Sequence, residues 1–257
     1  MNRRNFVKSA LAAAPVLAAP AIVNASAAPK QEYYELRKYT LKTGAQQKLV
    51  EDYFRNALIP AAKKAGLGPV GLFKDYLPPA QTDLYAVLTF PDMQHFIDLN
   101  EKLNADQTYL AAGEAYLKAP ISAPAYEYFD SALLKAFSGI PKLEVPPKKD
   151  RLFELRRYES PTETAGRRKI DMFNVGEFPI FRRAGLNPVF FGDMLSGQHR
   201  PNLTYMIVFD DMAGHDAAWE KFGKDPDWKA LSGKPEYQEI VSRVVRTFLV
   251  PVEGSEI

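Results

Sequence analysis

The 257-residue chain contains no cysteine, which excludes disulfides, a thiolate nucleophile and any cysteine-based metal site. No HExxH, GxSxG or P-loop pattern occurs, so the usual signatures of zinc proteolysis, serine hydrolysis and phosphate cradling are missing. Histidine is scarce, with three in all. A surplus of charge is lacking too. The 33 basic and 31 acidic residues look weakly basic, but Arg3, Arg4 and Lys8 lie in the first stretch, leaving 30 against 31. Nucleic acid is therefore not an expected partner. A membrane-spanning helix needs about 20 apolar residues; the run SALAAAPVLAAPAIV is shorter and is broken by Pro15 and Pro20.

That run fits a different use. A basic start, MNRRNFVK, precedes it, and the small residues Ala25-Ser26-Ala27 follow; together these form a secretory signal with a cleavage site. Arg3-Arg4 followed by Phe6 and Lys8 resembles the twin-arginine motif of bacterial export. Residues 1–27 are expected to be a leader cleaved after Ala27. The mature protein would be periplasmic or otherwise exported, with no stable membrane anchor.

What the chain does have is repetition. Glu35-Leu36-Arg37-Lys38-Tyr39 returns as Glu154-Leu155-Arg156-Arg157-Tyr158, 119 positions on. At that offset KKAGLGPV (63–70) overlies RRAGLNPV (182–189), LYAVLTFPDM (84–93) overlies LTYMIVFDDM (203–212), and Asp106 falls on Asp225. A constant offset over about 100 residues is a tandem duplication. Residues 28–139 form the first repeat, 140–150 (IPKLEVPPKKD) a proline-rich linker, and 151–257 the second repeat.

Both copies read alike. Strands are predicted over 33–40 and 152–159, helices over 44–65 and 163–184, then strand pairs 69–77 with 83–90 and 188–195 with 203–210. Helical segments start at the N-caps Asp92 and Asp211, and last strands run over 125–131 and 243–250. That order, βαββαβ, is the ferredoxin-like split βαβ, an antiparallel sheet with helices on one face. The runs LYAVLTF and LTYMIVF are apolar without alternation, as expected when both sheet faces are covered. The fold class is therefore α+β: two tandem ferredoxin-like repeats packed sheet to sheet, an intramolecular dimeric α+β barrel. The halves either pair within one chain or are exchanged between two chains of a homodimer.

Strand alternation assigns faces to the repeated pentad. Tyr34, Leu36, Phe153 and Leu155 are expected to meet the helices. Glu35, Arg37 and Tyr39, with Glu154, Arg156 and Tyr158, would then line the space between the sheets as a candidate catalytic site. Arginine offers a charged planar fork for carboxylate or enolate oxygens, tyrosine donates a proton, and glutamate serves as base. The competing reading is a filled core in which each Glu–Arg pair neutralises itself.

Other motifs say less. Gly66-Leu67-Gly68-Pro69-Val70-Gly71 matches GxGxxG but follows a helix and enters a strand, the reverse of a dinucleotide loop. His95 and His215 open the second helices at different positions; His215 is the residue on which haem binding would rest. His199-Arg200 in the SGQHRPN hairpin could rim a pocket. No metal site is expected.

YYELRKYTLKTG at 33–44, the AGL that precedes a strand, and FGKDPDWKAL…VVRTFLVP within 222–251 resemble the NIPSNAP family over both copies, more specifically in the second. NADQTYL (104–110) and APAYEYFDSALL (123–134) depart from the family pattern in the first. The resemblance implies the ferredoxin-like, dimeric α+β barrel fold and carries no general catalytic motif. By analogy of fold, related barrels include cofactor-free monooxygenases, haem-degrading enzymes and dehydratases. The expected function is therefore binding of a small organic molecule between the sheets without a cofactor, with proton transfer or cofactor-free oxygenation as the chemistry. The alternatives are a non-catalytic interaction module and a haem-binding protein.

Overall fold

The computed structural model describes residues 30–77 and 83–257; the leader predicted over residues 1–27 lies outside them. The first copy runs β1 (Tyr33–Thr40), α1 (Gly44–Tyr53), α2 (Ile59–Lys64), β2 (Val70–Asp75), β3 (Leu84–Phe90), α3 (Met93–Ala105), α4 (Gln107–Ala112), α5 (Glu114–Leu117) and β4 (Tyr128–Ala136). The second runs β5 (Leu152–Glu159), α6 (Glu163–Met172), α7 (Phe178–Ala184), β6 (Asn187–Ser196), β7 (Asn202–Phe209), α8 (Met212–Lys224), α9 (Pro226–Ser232) and β8 (Arg243–Pro251).

Local chemistry sets these boundaries. Thr43 and Thr162 cap α1 and α6, each hydroxyl accepting from a backbone N–H three residues on. Asp92, Asp106, Asp211 and Asp225 cap the later helices in the same way. Pro60 and Pro179 lack a donor and crowd the carbonyl one turn back. In both copies the chain passes through a π turn just before that proline, Phe54–Leu58 and Phe173–Glu177, which widens the helix locally.

The eight strands of the described residues close into one barrel in the order β1-β3-β2-β8-β5-β7-β6-β4. Each copy supplies four neighbouring antiparallel strands, and the copies are sewn together by β2 to β8 and β4 to β6. The pairing is thus satisfied within one chain. Every residue of β3 and β7 is buried, as the unbroken apolar runs predict. Two apolar cores lie between strands and helices, one per copy. A third fills the barrel interior around Tyr34, Phe73, Phe153, Phe190, Met206 and Leu249. One end of the interior is plugged by Ile257, with Leu143 of the linker packed against it. The other end is open. No described helix is long and apolar enough to cross a membrane.

Candidate functional site

The barrel sorts the repeated pentad by parity, and the outcome reverses the expected faces. Tyr34, Phe153 and Leu155 belong to the interior cluster and Leu36 packs against it. Glu35, Arg37, Tyr39, Glu154, Arg156 and Tyr158 point the other way, beneath the helices, where Tyr39 and Tyr158 join the helix-side cores. The alternation is real, but both faces are largely buried. A barrel centre is as apolar as a helix–sheet interface, so polarity alone does not say which face looks inward.

Beneath the helices the six residues form two internal networks. Arg156 Nη1 donates to Glu154 Oε1 at 2.8 Å and Nη2 to the Tyr158 hydroxyl at 3.0 Å. Trp219 Nε1 donates to the other Glu154 oxygen at 2.9 Å, and the Trp219 ring lies 4.2 Å from the Arg156 guanidinium. Tyr205 donates to Tyr158 at 2.8 Å; burial pushes both phenols up from their ordinary pKa. In the first copy Arg37 binds Glu35 at 2.8 Å, and Ser131 donates to the second Glu35 oxygen at 2.7 Å. His215 is wedged between Phe209 and Phe248, each ring centroid 5.0 Å away, with Nε2 3.4 Å from Glu154. These groups are turned toward one another. Lys169 and Glu177, 2.6 Å apart and both buried, add a second internal ion pair to the later copy.

The space between the sheets opens at the barrel's unplugged end as a cavity of about 350 Å³. It is lined by the apolar side chains of Leu36, Ala132, Leu155, Met194 and Val245 and by the polar ones of Lys38, Tyr85, Arg157 and Thr204. The inward face of each pentad strand therefore steps from aromatic to leucine to cation: Tyr34, Leu36, Lys38 in β1 and Phe153, Leu155, Arg157 in β5. Lys38 Nζ lies 2.8 Å from Asp83. Burial pulls the ammonium pKa down, but Asp83, Tyr85 and Asp75 outweigh it and the net shift is upward. Arg157 gives Nε and Nη2 to one Glu159 oxygen at 3.1 and 2.8 Å, leaving Nη1 without a partner among the described residues. Burial raises the Tyr85 phenol to about 12 against the pull of Lys38, so at neutral pH it stays protonated and donates. His199 lines the mouth as well, and Gln198 donates to Asp130 at 2.7 Å. Among the described residues no cluster of His, Asp and Glu is arranged to hold a metal ion.

Residues 153–256 match the NIPSNAP family model. No curated protein matches the sequence. A Lactobacillus acidophilus protein assigned as a monooxygenase is 11% identical, covers 86% of this chain and 94% of its own, and superposes with a TM-score of 0.58. A Fusobacterium nucleatum protein with the same assignment is 10% identical, covers 88% and 94%, and gives a TM-score of 0.55. At these identities the likeness is one of fold, and it spans both copies.

The NIPSNAP match takes in Arg157, Met194, Thr204 and the second internal network, while Lys38 and Tyr85 come from the copy outside it. The cavity is thus built by both halves. The sequence reading gave the pentad's faces the wrong parity and did not single out Lys38, Tyr85, Arg157 and Thr204, which line the cavity. One signal could have found them: the inward-facing series ends in a cation in both copies, although the residue itself changes from lysine to arginine. Gly71, the last glycine of the GxGxxG match, is a packing residue, since a Cβ there would sit 2.6 Å from Phe73.

Proposed function

We propose that this protein binds a small organic anion in the open mouth of the barrel, between the two sheets. One observation carries the reading: a cavity of about 350 Å³ with an apolar wall and the cations Lys38 and Arg157 at its rim. The volume lies at the small-ligand end of the usual range of roughly 300–1,000 Å³. The apolar body of a ligand would enter toward Leu36 and Leu155, and its anionic group would stay at the rim. Carboxylate and enolate oxygens suit the Arg157 fork, the Lys38 ammonium and the Tyr85 donor. Stabilising an enolate is also the step that proton transfer and cofactor-free oxygenation share, and structural neighbours assigned as monooxygenases are compatible with that chemistry. No cofactor is needed for binding of this kind. Arg37 and Arg156, with their glutamates and tyrosines, are internal struts in this reading. Export through the leader at residues 1–27 belongs to the same proposal.

The test uses 8-anilinonaphthalene-1-sulfonate as the probe. Its fluorescence should rise saturably, one molecule per chain. The K38M/R157M double substitution should weaken binding about tenfold or more, as expected when charge-assisted hydrogen bonds are lost, with the far-UV circular dichroism unchanged. Undiminished affinity in the double variant would refute the site.

A further inference from the structure

We infer that the ligand is two-ended: a flat apolar core with an anionic group at each of two opposite ends, of the class of aryl dicarboxylates. The inference rests on the barrel mouth being the binding site and goes beyond it by fixing what the two cations are for. In the closed strand order, β1 and β5 stand four places apart in a ring of eight, which makes them diametrically opposite. Lys38 and Arg157 occupy equivalent positions on those strands, both inward-facing and both lining the mouth. Tyr85 on β3 and Thr204 on β7 are opposite in the same sense, as are Leu36 and Leu155. Each half therefore presents a leucine, a hydroxyl and a cation toward a shared centre. The duplication has kept the type of each group while changing the residue at two of the three positions.

An eight-stranded barrel is just wide enough to hold one small ligand, so a single molecule lies between the two cations. A cavity of 150 Å³ accommodates benzene, and about 350 Å³ suits a core of roughly two fused rings with substituents. An anion at one end would engage one cation and leave the other facing apolar ligand surface. Two anionic ends engage both. Each cation already has a carboxylate that holds it in place, Asp83 for Lys38 and Glu159 for Arg157. Each also keeps donors for a ligand: the ammonium has three and Arg157 Nη1 is free among the described residues. Asp130, tied to Gln198, makes the β4 side of the mouth unfavourable for an anion and leaves the β1–β5 axis as the polar direction.

Naphthalene-2,6-dicarboxylate and 2-naphthoate, titrated calorimetrically at pH 7, separate the cases. The dicarboxylate should bind at least about tenfold more tightly than the monocarboxylate, and K38M or R157M alone should erase that advantage. The monocarboxylate should lose less than about threefold in either single variant, because it can turn to the remaining cation. Equal affinity of the two ligands for the unaltered protein would overturn the two-ended reading, and this comparison does not depend on any variant folding. If 2-naphthoate binds and K38M/R157M abolishes it while the dicarboxylate gains nothing, the mouth remains the site and only the two-ended ligand is lost. Failure of both ligands to bind removes the two readings together.

Discussion

Glu154 has no exposed surface and holds three neighbours at once: Arg156, Trp219 and, at longer range, His215. Replacing it by glutamine leaves the Arg156 charge buried without a counter-charge. Removing one partner of a buried pair costs about 3–5 kcal/mol, whereas replacing both by apolar groups can be close to neutral. Glu154→Gln is therefore expected to lower stability by about 3 kcal/mol in urea denaturation, and Glu154→Leu with Arg156→Met by clearly less. If the double substitution is the more damaging, the network is stabilising in its own right and not merely self-neutralising. At the mouth, the raised pKa of Tyr85 also predicts a sign. A group whose folded pKa is raised, here from 10 to about 12, contributes stability that is full below pH 10 and is lost as pH climbs toward 12. In an alkaline absorbance titration, Tyr85→Phe should remove one phenol ionising near pH 12. Loss of a phenol that ionises near pH 10 would contradict the buried placement. The site was half legible for a related reason. Arg37 and Arg156 drew notice because the pentad that carries them repeats and alternates, but the residues one step along face the opening, and only closure of the barrel shows which face that is.

Elements were more legible than faces, because their limits are set locally. The first strand of each copy and the capping aspartates Asp92 and Asp211 stand where the sequence puts them. The last strand of the first copy does not: it is predicted at 125–131 and found at Tyr128–Ala136. Its counterpart is Arg243–Pro251, so the offset between the copies has fallen from 119 to 115. The four extra residues lie in the stretch where the first copy carries the short helix α5, Glu114–Leu117, and no periodicity marks the change. Helix ends give a direct test. Gly185 closes α7 in the left-handed region at φ +94°, and a Cβ there would meet only Ala218 at 3.6 Å. Gly185→Ala is thus a backbone experiment with little steric contribution, and the left-handed conformation should cost about 1–2 kcal/mol. A thermal melt showing no loss would mean that the chain leaves α7 by another route.

The whole molecule behaves as a dimer written in one chain. What joins the halves is two short seams, β2 with β8 over Phe73–Asp75 and β4 with β6 over Leu133–Ala136, and the interior that they enclose. The tail prolongs the first seam, Val252 N–H donating to the Leu72 carbonyl and Glu256 N–H to that of Val70. Residues 151–257 on their own would present two unpaired strand edges, β6 and β8, and an inner face of Phe153, Leu155, Phe190, Met206, Val208 and Leu249. Unpaired edges and an exposed apolar sheet favour association, and the pseudo-symmetry supplies a geometry in which a second copy takes the place of the first half. The isolated second half should therefore run as a dimer in size-exclusion chromatography with light scattering. A folded, soluble monomer would show that burial between the sheets is not what closes the barrel, and it would also remove the reason for expecting a ligand shared by both halves.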